Sequence, residues 1–216
     1  MSPPGWPAQL REGPVGLRPI RARDAAEWRA VRARNAEWLR PWEATLPGES
    51  FEAGRAPSFR SMVRILRRQA RAGTSLPFVV TYREGERDRL VGQLTVGGIT
   101  LGSARWAQIG YWIDRAYAGR GIIPTAVAMA TDHCFFVLGL HRIEISIRPE
   151  NTPSLRVVQK LGFREEGLRP RYLHIDGAWR DHLAFALTRE EVPEGLLTRW
   201  RRIRDASSGV DVDSRQ

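Results

Sequence analysis

The chain has 216 residues, 42% of them hydrophobic, enough to fill one good core and to suggest one domain with short tails. No run approaches the roughly 18 apolar residues of a membrane span, and the start of the chain has no apolar leader segment, so a cytoplasmic protein is expected. The lone cysteine, Cys134, excludes an internal disulfide and a cysteine-cluster metal site, and the net charge of +10 is carried by arginines spread along the chain, Lys160 being the sole lysine.

Residues 1–14 hold four prolines and no periodicity and read as a flexible, loosely draped N-terminal tail. Residues 15–21 alternate like a strand, Asp24 can cap a helix running to about Asn35, and a turn-rich loop fills 37–57. In residues 58–72, Phe59, Met62, Val63, Ile65, Leu66 and Ala70 recur at helical spacing between arginines, giving an amphipathic helix that ends at Gly73. Three strands follow at 77–83, 89–99 and 105–113, the first two joined by the polar turn 84–88, as an antiparallel meander. Gly119-Arg120-Gly121 then leads into 122–138, apolar on nearly every face and so a helix buried against a sheet. A strand at 141–148 precedes a short helix at 152–161, with Thr152 as cap, Pro153 in its first turn and Gly162 past its end. Two last strands at 168–175 and 182–187 are joined by the hairpin dipeptide Asp176-Gly177.

This order gives an α/β fold, a mixed sheet with helices on both faces. The boundaries are a tail at 1–14, a domain at 15–189, and a basic C-terminal helix from about Glu190 to Arg204 with a disordered end, within 190–216. The arginine-dense segments 64–71 and 199–204 read either as solvated helix faces or as contacts to RNA or a ribosome.

The glycine turn at 119–121 delivers a strand into a helix start. Free N–H groups there, with the positive end of the helix dipole, suit a diphosphate, and glycine lets it reach the backbone. The other reading is an ordinary tight turn; no third glycine or Gly-Lys-Ser/Thr ending supports a Rossmann or P-loop site. Pro124 stands in the first helical turn, where one phosphate donor is either missing or supplied by the adjacent Thr125.

Three segments together resemble the GNAT superfamily of N-acetyltransferases, RimJ/RimL type. Ala116-Tyr117-Ala118-Gly119-Arg120-Gly121 matches both glycines of the coenzyme A turn but not its first position. Asn151-Thr152-Pro153-Ser154, closed by Leu161-Gly162-Phe163, is similar to the helix beside the pantetheine arm. Arg171-Tyr172-Leu173-His174-Ile175-Asp176-Gly177-Ala178-Trp179-Arg180-Asp181-His182 resembles the C-terminal hairpin of that group, as does Leu39-Arg40-Pro41-Trp42 earlier. The resemblance spans about 15–189. It implies a seven-stranded mixed sheet with a splayed central strand pair, acetyl-CoA as donor, and a protein N-terminal amine as acceptor, such as N-terminal alanine of a ribosomal protein. A small amine of aminoglycoside type is the enzyme alternative, and an RNA- or ribosome-binding module with a residual acetyl-CoA site is the alternative of another class.

The resemblance assigns acetyl-CoA to Tyr111, Trp112, Ile113, Ala118, Gly119, Arg120, Gly121, Ile122, Ile123, Asn151 and Ser154. Backbone N–H groups near Ile113 would hold the thioester carbonyl as negative charge develops on it. Ser154 is the candidate to protonate the leaving sulfur, with Asn151 beside it; both can equally be helix-capping residues. Tyr172 is a second candidate acid. Some relatives carry an acidic residue, a proposed base, where this chain has Arg171, and an α-amine titrating at ~7.7–8.0 needs no strong base. Trp42, with Trp38 and Phe51, could wall the acceptor site, and His182 beside Asp181 could orient the amine. His133 and His141 read as structural or surface residues, and no metal site has the needed ligand spacing.

Overall fold

A computed structural model describes residues 5–48 and 58–209. The strands are β1 (Leu10–Glu12), β2 (Val15–Pro19), β3 (Ser75–Glu84), β4 (Arg87–Thr100), β5 (Trp106–Ile113), β6 (Arg142–Ile147), β7 (Arg164–Ile175) and β8 (Ala178–Thr188). The helices are α1 (Ala25–Arg34), α2 (Ala36–Leu39), α3 (Phe59–Arg71), α4 (Ile122–Asp132), α5 (Thr152–Leu161) and α6 (Leu196–Gly209).

One mixed sheet has the order β1-β2-β3-β4-β5-β6-β8-β7. Every neighbouring pair is antiparallel except β5 and β6. The sheet therefore has eight strands rather than seven. The extra one lies in the stretch expected to be a loose tail: β1 pairs with β2, Ala8 is buried, and Trp6 meets Phe78 edge-on at 5.1 Å. Three paired residues are too few to show an alternation, so apolar anchoring here outweighs the proline-rich composition.

On one face α4, α5 and α6 close the main core around Phe78, Leu94, Val127, Phe135 and Val158. All residues from Ile122 to Thr131 are buried, as a helix wedged between a sheet and α6 must be. On the other face α1 and α3 cover β3 and β4 with Ile20, Val31, Phe59, Val63, Val79 and Leu90, to which Trp28 and Trp112 add their rings. α3 starts where Ser58 Oγ accepts the Ser61 N–H at 3.2 Å.

Several boundaries move. The expected loop 37–57 contains α2 and a 3-10 turn at Arg40–Trp42; Phe51 lies outside the described residues. The C-terminal helix begins at Leu196 rather than near 190, because Pro193 and Gly195 break the chain first and Asp132 accepts the Leu196 and Leu197 N–H groups at 2.6 and 3.0 Å. The end of the chain from residue 210 lies outside the described residues. The β7–β8 hairpin turns on Asp176 (φ 47°) and Gly177 (φ 75°), the two positive values that a type I′ turn requires. Among the described residues no helix is long and apolar enough to cross a membrane.

Candidate active site

β5 and β6 pair only at Trp106–Arg142, Ala107–Ile143 and Gln108–Glu144 and then separate. The splay leaves one edge of β5 without a neighbouring strand. The Asp114 N–H bonds Val91 of β4 at 2.7 Å, whereas the Arg105 carbonyl accepts from Arg142 at the start of β6. Alternation along the strand therefore aims the backbone groups of Ile109, Tyr111 and Ile113 into the gap. The Ile113 carbonyl is taken by Trp38 Nε1 at 3.3 Å.

Beneath the gap lies a cleft of about 510 Å³. It is lined by Trp38, Leu39, Trp42, Tyr111, Trp112, Ile113, Tyr117, Ala118, Gly119, Gly121, Ile122, Ile123, Pro124, Asn151, Pro153, Ser154, Arg156, Val157 and Lys160. The glycine turn forms one end. Gly119 and Gly121 have φ of 80° and 72°, values that residues with a Cβ rarely adopt, and a Cβ on Gly119 would meet nothing within 4 Å. The Ile122 and Ile123 N–H groups lie in the first turn of α4, where no intrahelical carbonyl can take them. An open cradle at the positive end of a buried helix fits a diphosphate. Thr125 supplies no donor to it: its hydroxyl donates to the Gly121 carbonyl at 2.9 Å and accepts from Trp200 Nε1 at 2.8 Å. Arg156 and Lys160, one turn apart on α5, put two cations on the same cleft.

The turn is held by Asp114, which is buried. It accepts from Arg34, from Asn35 Nδ2 at 2.9 Å and from the Ala116 N–H at 3.1 Å. Burial pushes its carboxyl upward, but these donors, Arg34 first, outweigh burial and hold it below the usual range. Asp114→Ala strands the Ala116 N–H and weakens the hold on the turn. The expected cost is about 1–3 kcal/mol of stability, read by thermal denaturation, with weaker coenzyme A binding in the folded fraction. In wild type the Asp114 contribution is complete above the ordinary carboxylate range and fades as pH falls through its lowered value. A variant with an unchanged melting temperature would leave the turn to other contacts.

The hydroxyl groups gather at the other end of the cleft. The Asn151 side chain accepts the Ser154 N–H at 3.2 Å and is the cap of α5; Thr152, the expected cap, is its first residue. The Ser154 side chain faces the Tyr111 hydroxyl, close enough to offset part of the rise that burial imposes on the phenol, yet outside hydrogen-bond geometry. The Tyr111 oxygen is thereby buried without a partner.

Arg120, Tyr172 and His182 do not line this cleft. Arg120 folds back on its own turn, donating to the Ala116 carbonyl at 3.0 Å with its guanidinium 4.9 Å from the Tyr117 ring centre. Tyr172 accepts from Gln108 Nε2 at 3.1 Å, and His182, buried beneath it, meets its ring at 5.9 Å. Burial pulls the His182 imidazole below its ordinary range, against the Arg180 carbonyl that raises it. Trp42 is on the cleft wall, with the Arg148 guanidinium 5.3 Å from its ring centre.

A second cavity of about 430 Å³ opens on the opposite face of the sheet. Gln93, Thr95, Gly97, Gly98, Gln108, Gly110, Tyr111 and Trp112 line it, and no carboxylate is among them. Tyr111 and Trp112 of β5 border both cavities. Arg156, Lys160, the Asp114 network and this second cavity were not anticipated from the sequence.

Comparison with known proteins agrees with this geometry. Residues 15–164 match the family described as acetyltransferase (GNAT) domain. Mycobacterium smegmatis RimJ in complex with CoA-disulfide is 48% identical with a TM-score of 0.81, covering 91% of this chain and 94% of that one. The ribosomal-protein-S5-alanine acetyltransferase from Vibrio fischeri is 28% identical with a TM-score of 0.72, covering 84% of this chain and 96% of its own. The Escherichia coli ribosomal protein uS5-alanine N-acetyltransferase is 27% identical, over 80% of this chain and 86% of its own length.

Proposed function

Because the chain belongs to the GNAT family of acetyl-CoA-dependent N-acetyltransferases, we propose that it acetylates protein N-terminal α-amines in the cytoplasm, with a ribosomal protein bearing N-terminal alanine as the acceptor. The similarity to RimJ and to two ribosomal-protein-alanine acetyltransferases points to this class. The observation that carries it is the second cavity, which is glycine-floored, neutral and without a carboxylate. Such a site suits an extended, largely uncharged peptide end. A polycationic amine such as an aminoglycoside would call for acidic side chains there.

In this reading the turn at 119–123 binds the diphosphate, Arg156 and Lys160 add charge, and the free edge of β5 holds the pantetheine amides and the thioester carbonyl. The Tyr111 and Ile113 backbone groups supply the dipoles that meet the developing oxyanion. Ser154 delivers a proton to the departing sulfur, Asn151 fixes the start of α5 beneath it, Tyr172 with His182 supports Gln108 on the acceptor side, and Trp42 walls the cofactor cleft. The amine arrives neutral from solution, because an α-amine near 7.7–8.0 is partly unprotonated at neutral pH whereas lysine near 10.4 is not.

The α-amine of a lysine-free peptide is therefore expected to react at least about 100-fold faster than a lysine side chain in an N-terminally blocked peptide at pH 7. Mass spectrometry of the products, with an aminoglycoside as third acceptor, tests this. Acetyl found on lysine or on the drug while free N-termini stay unmodified would sink the proposal.

A further inference from the structure

Two segments of the chain are dense in arginine, and the fold treats them differently. On α6, Arg201 is bound to Glu12, Arg202 to Glu194 at 2.6 Å, and the Arg199 guanidinium to the Glu191 carbonyl. This helix packs on α4, on the cofactor side of the sheet. On α3, the arginines at 60, 64, 67, 68 and 71 are exposed, and none has a carboxylate within ion-pair distance among the described residues. Residues 58–83 contain six arginines and no aspartate or glutamate. The neighbouring segment 49–57 holds only Glu49 and Glu52, together with Arg55, and cannot balance the helix.

The spacing is ordered as well as dense. Arg60, Arg64, Arg67 and Arg71 are separated by steps of four, three and four, so they form one stripe along a helix that rises about 1.5 Å per residue, over about 16 Å. The helix stands on the acceptor side. Phe59 at its start lies 5.2 Å from the Trp28 ring, and Trp28 lies 6.3 Å from Trp112, which borders the acceptor cavity.

We propose that the α3 arginine stripe binds the phosphate backbone of RNA and thereby docks the enzyme beside an acceptor protein that is carried on RNA. This rests on the ribosomal acceptor proposed above. Guanidinium groups pair with phosphate oxygens in a two-toothed geometry and stay charged at any physiological pH. About 16 Å of stripe is long enough to meet several successive phosphates of one strand. A membrane surface fits worse: an interfacial helix must offer a free apolar face, and α3 already spends Phe59, Val63 and Ala70 in the core.

The test uses the full chain, a fluorescently labelled RNA hairpin, and anionic phosphatidylserine vesicles as the competing surface. Arg60, Arg64, Arg67 and Arg71 are replaced together by glutamine, and separately by lysine. RNA affinity is followed by anisotropy as salt is raised. Removing four phosphate contacts is expected to flatten the slope of log K against log salt by about 3–4 and to weaken binding about 1000-fold near 0.1 M salt. The lysine variant should keep most of the slope, and Arg201→Gln with Arg202→Gln should keep all of it. Circular dichroism checks folding; if the fourfold variant does not fold, Arg64→Gln with Arg67→Gln should still lose about half of that slope change. Acetylation of a short free peptide should be the same in every variant, since α3 touches neither cavity. Loss of peptide acetylation in the wild type would defeat the proposed function and not the RNA surface. An unchanged RNA slope in the glutamine variant, no RNA binding by the wild type, or binding to vesicles in place of RNA would overturn the stripe as an RNA site.

Discussion

Gly121→Val is expected to weaken acetyl-CoA binding by about 10²–10⁴-fold, the equivalent of losing one or two hydrogen bonds from backbone N–H groups to a charged phosphate at about 1.5–3 kcal/mol each. Two effects act together. Gly121 sits at φ 72° as the N-terminal cap of α4, a conformation that a β-branched residue avoids, and the backbone shift that valine forces would move the Ile122 and Ile123 N–H groups that follow it. The new Cβ would meet only Trp200 Cζ2, at an ordinary 3.5 Å, so the core beneath has room and the chain should still fold. Gly121→Ala should fall between wild type and valine. Calorimetry on folded protein decides the matter, and wild-type affinity in Gly121→Val would move the diphosphate away from this turn.

Ser154→Ala is expected to lower kcat and kcat/KM together by about 10–1000-fold, the range for losing one acid or one hydrogen bond made only in the transition state. The structure separates this from a capping effect. The cap of α5 is the Asn151 side chain, and what it grips is the backbone N–H of Ser154, which alanine retains. Stability should thus hardly change in Ser154→Ala, whereas Asn151→Ala should cost about 0.5–2 kcal/mol. Melting curves and kinetics on the same preparations read both. Normal turnover in Ser154→Ala would hand the leaving thiolate to another donor.

The sequence made legible whatever rests on local chemistry. α5 came out at its true limits because a proline in its first turn and a glycine at φ 74° past its end are strong, independent stops. The glycine turn, the buried helix after it and the type I′ hairpin were readable for the same reason. What rests on distant meetings was not. Asp114 finds Arg34 and Asn35 about 80 positions away, and nothing in either segment announces the other. The second cavity is made of glycines, neutral polar residues and two aromatics from two strands, which have no signature until the strands lie side by side. Arg120, which the resemblance groups with the acetyl-CoA turn, folds its side chain back on the Ala116 carbonyl, a contact that the sequence does not announce. The C-terminal helix starts later than the basic composition of 190–204 suggests, because Pro193 and Gly195 precede it.

Lys160 is the only lysine in the chain, and it lines the cleft beneath the splay of β5 and β6. A protein that spends its life beside a reactive thioester risks modifying itself, and each stray acetyl on a lysine would erase a positive charge. Arginine stays protonated and offers no neutral nucleophile, so a cationic surface built from it does not age in the presence of its own substrate. The basic character of this enzyme is chemically durable, because Lys160 is the one lysine side chain that a stray acetyl could neutralise.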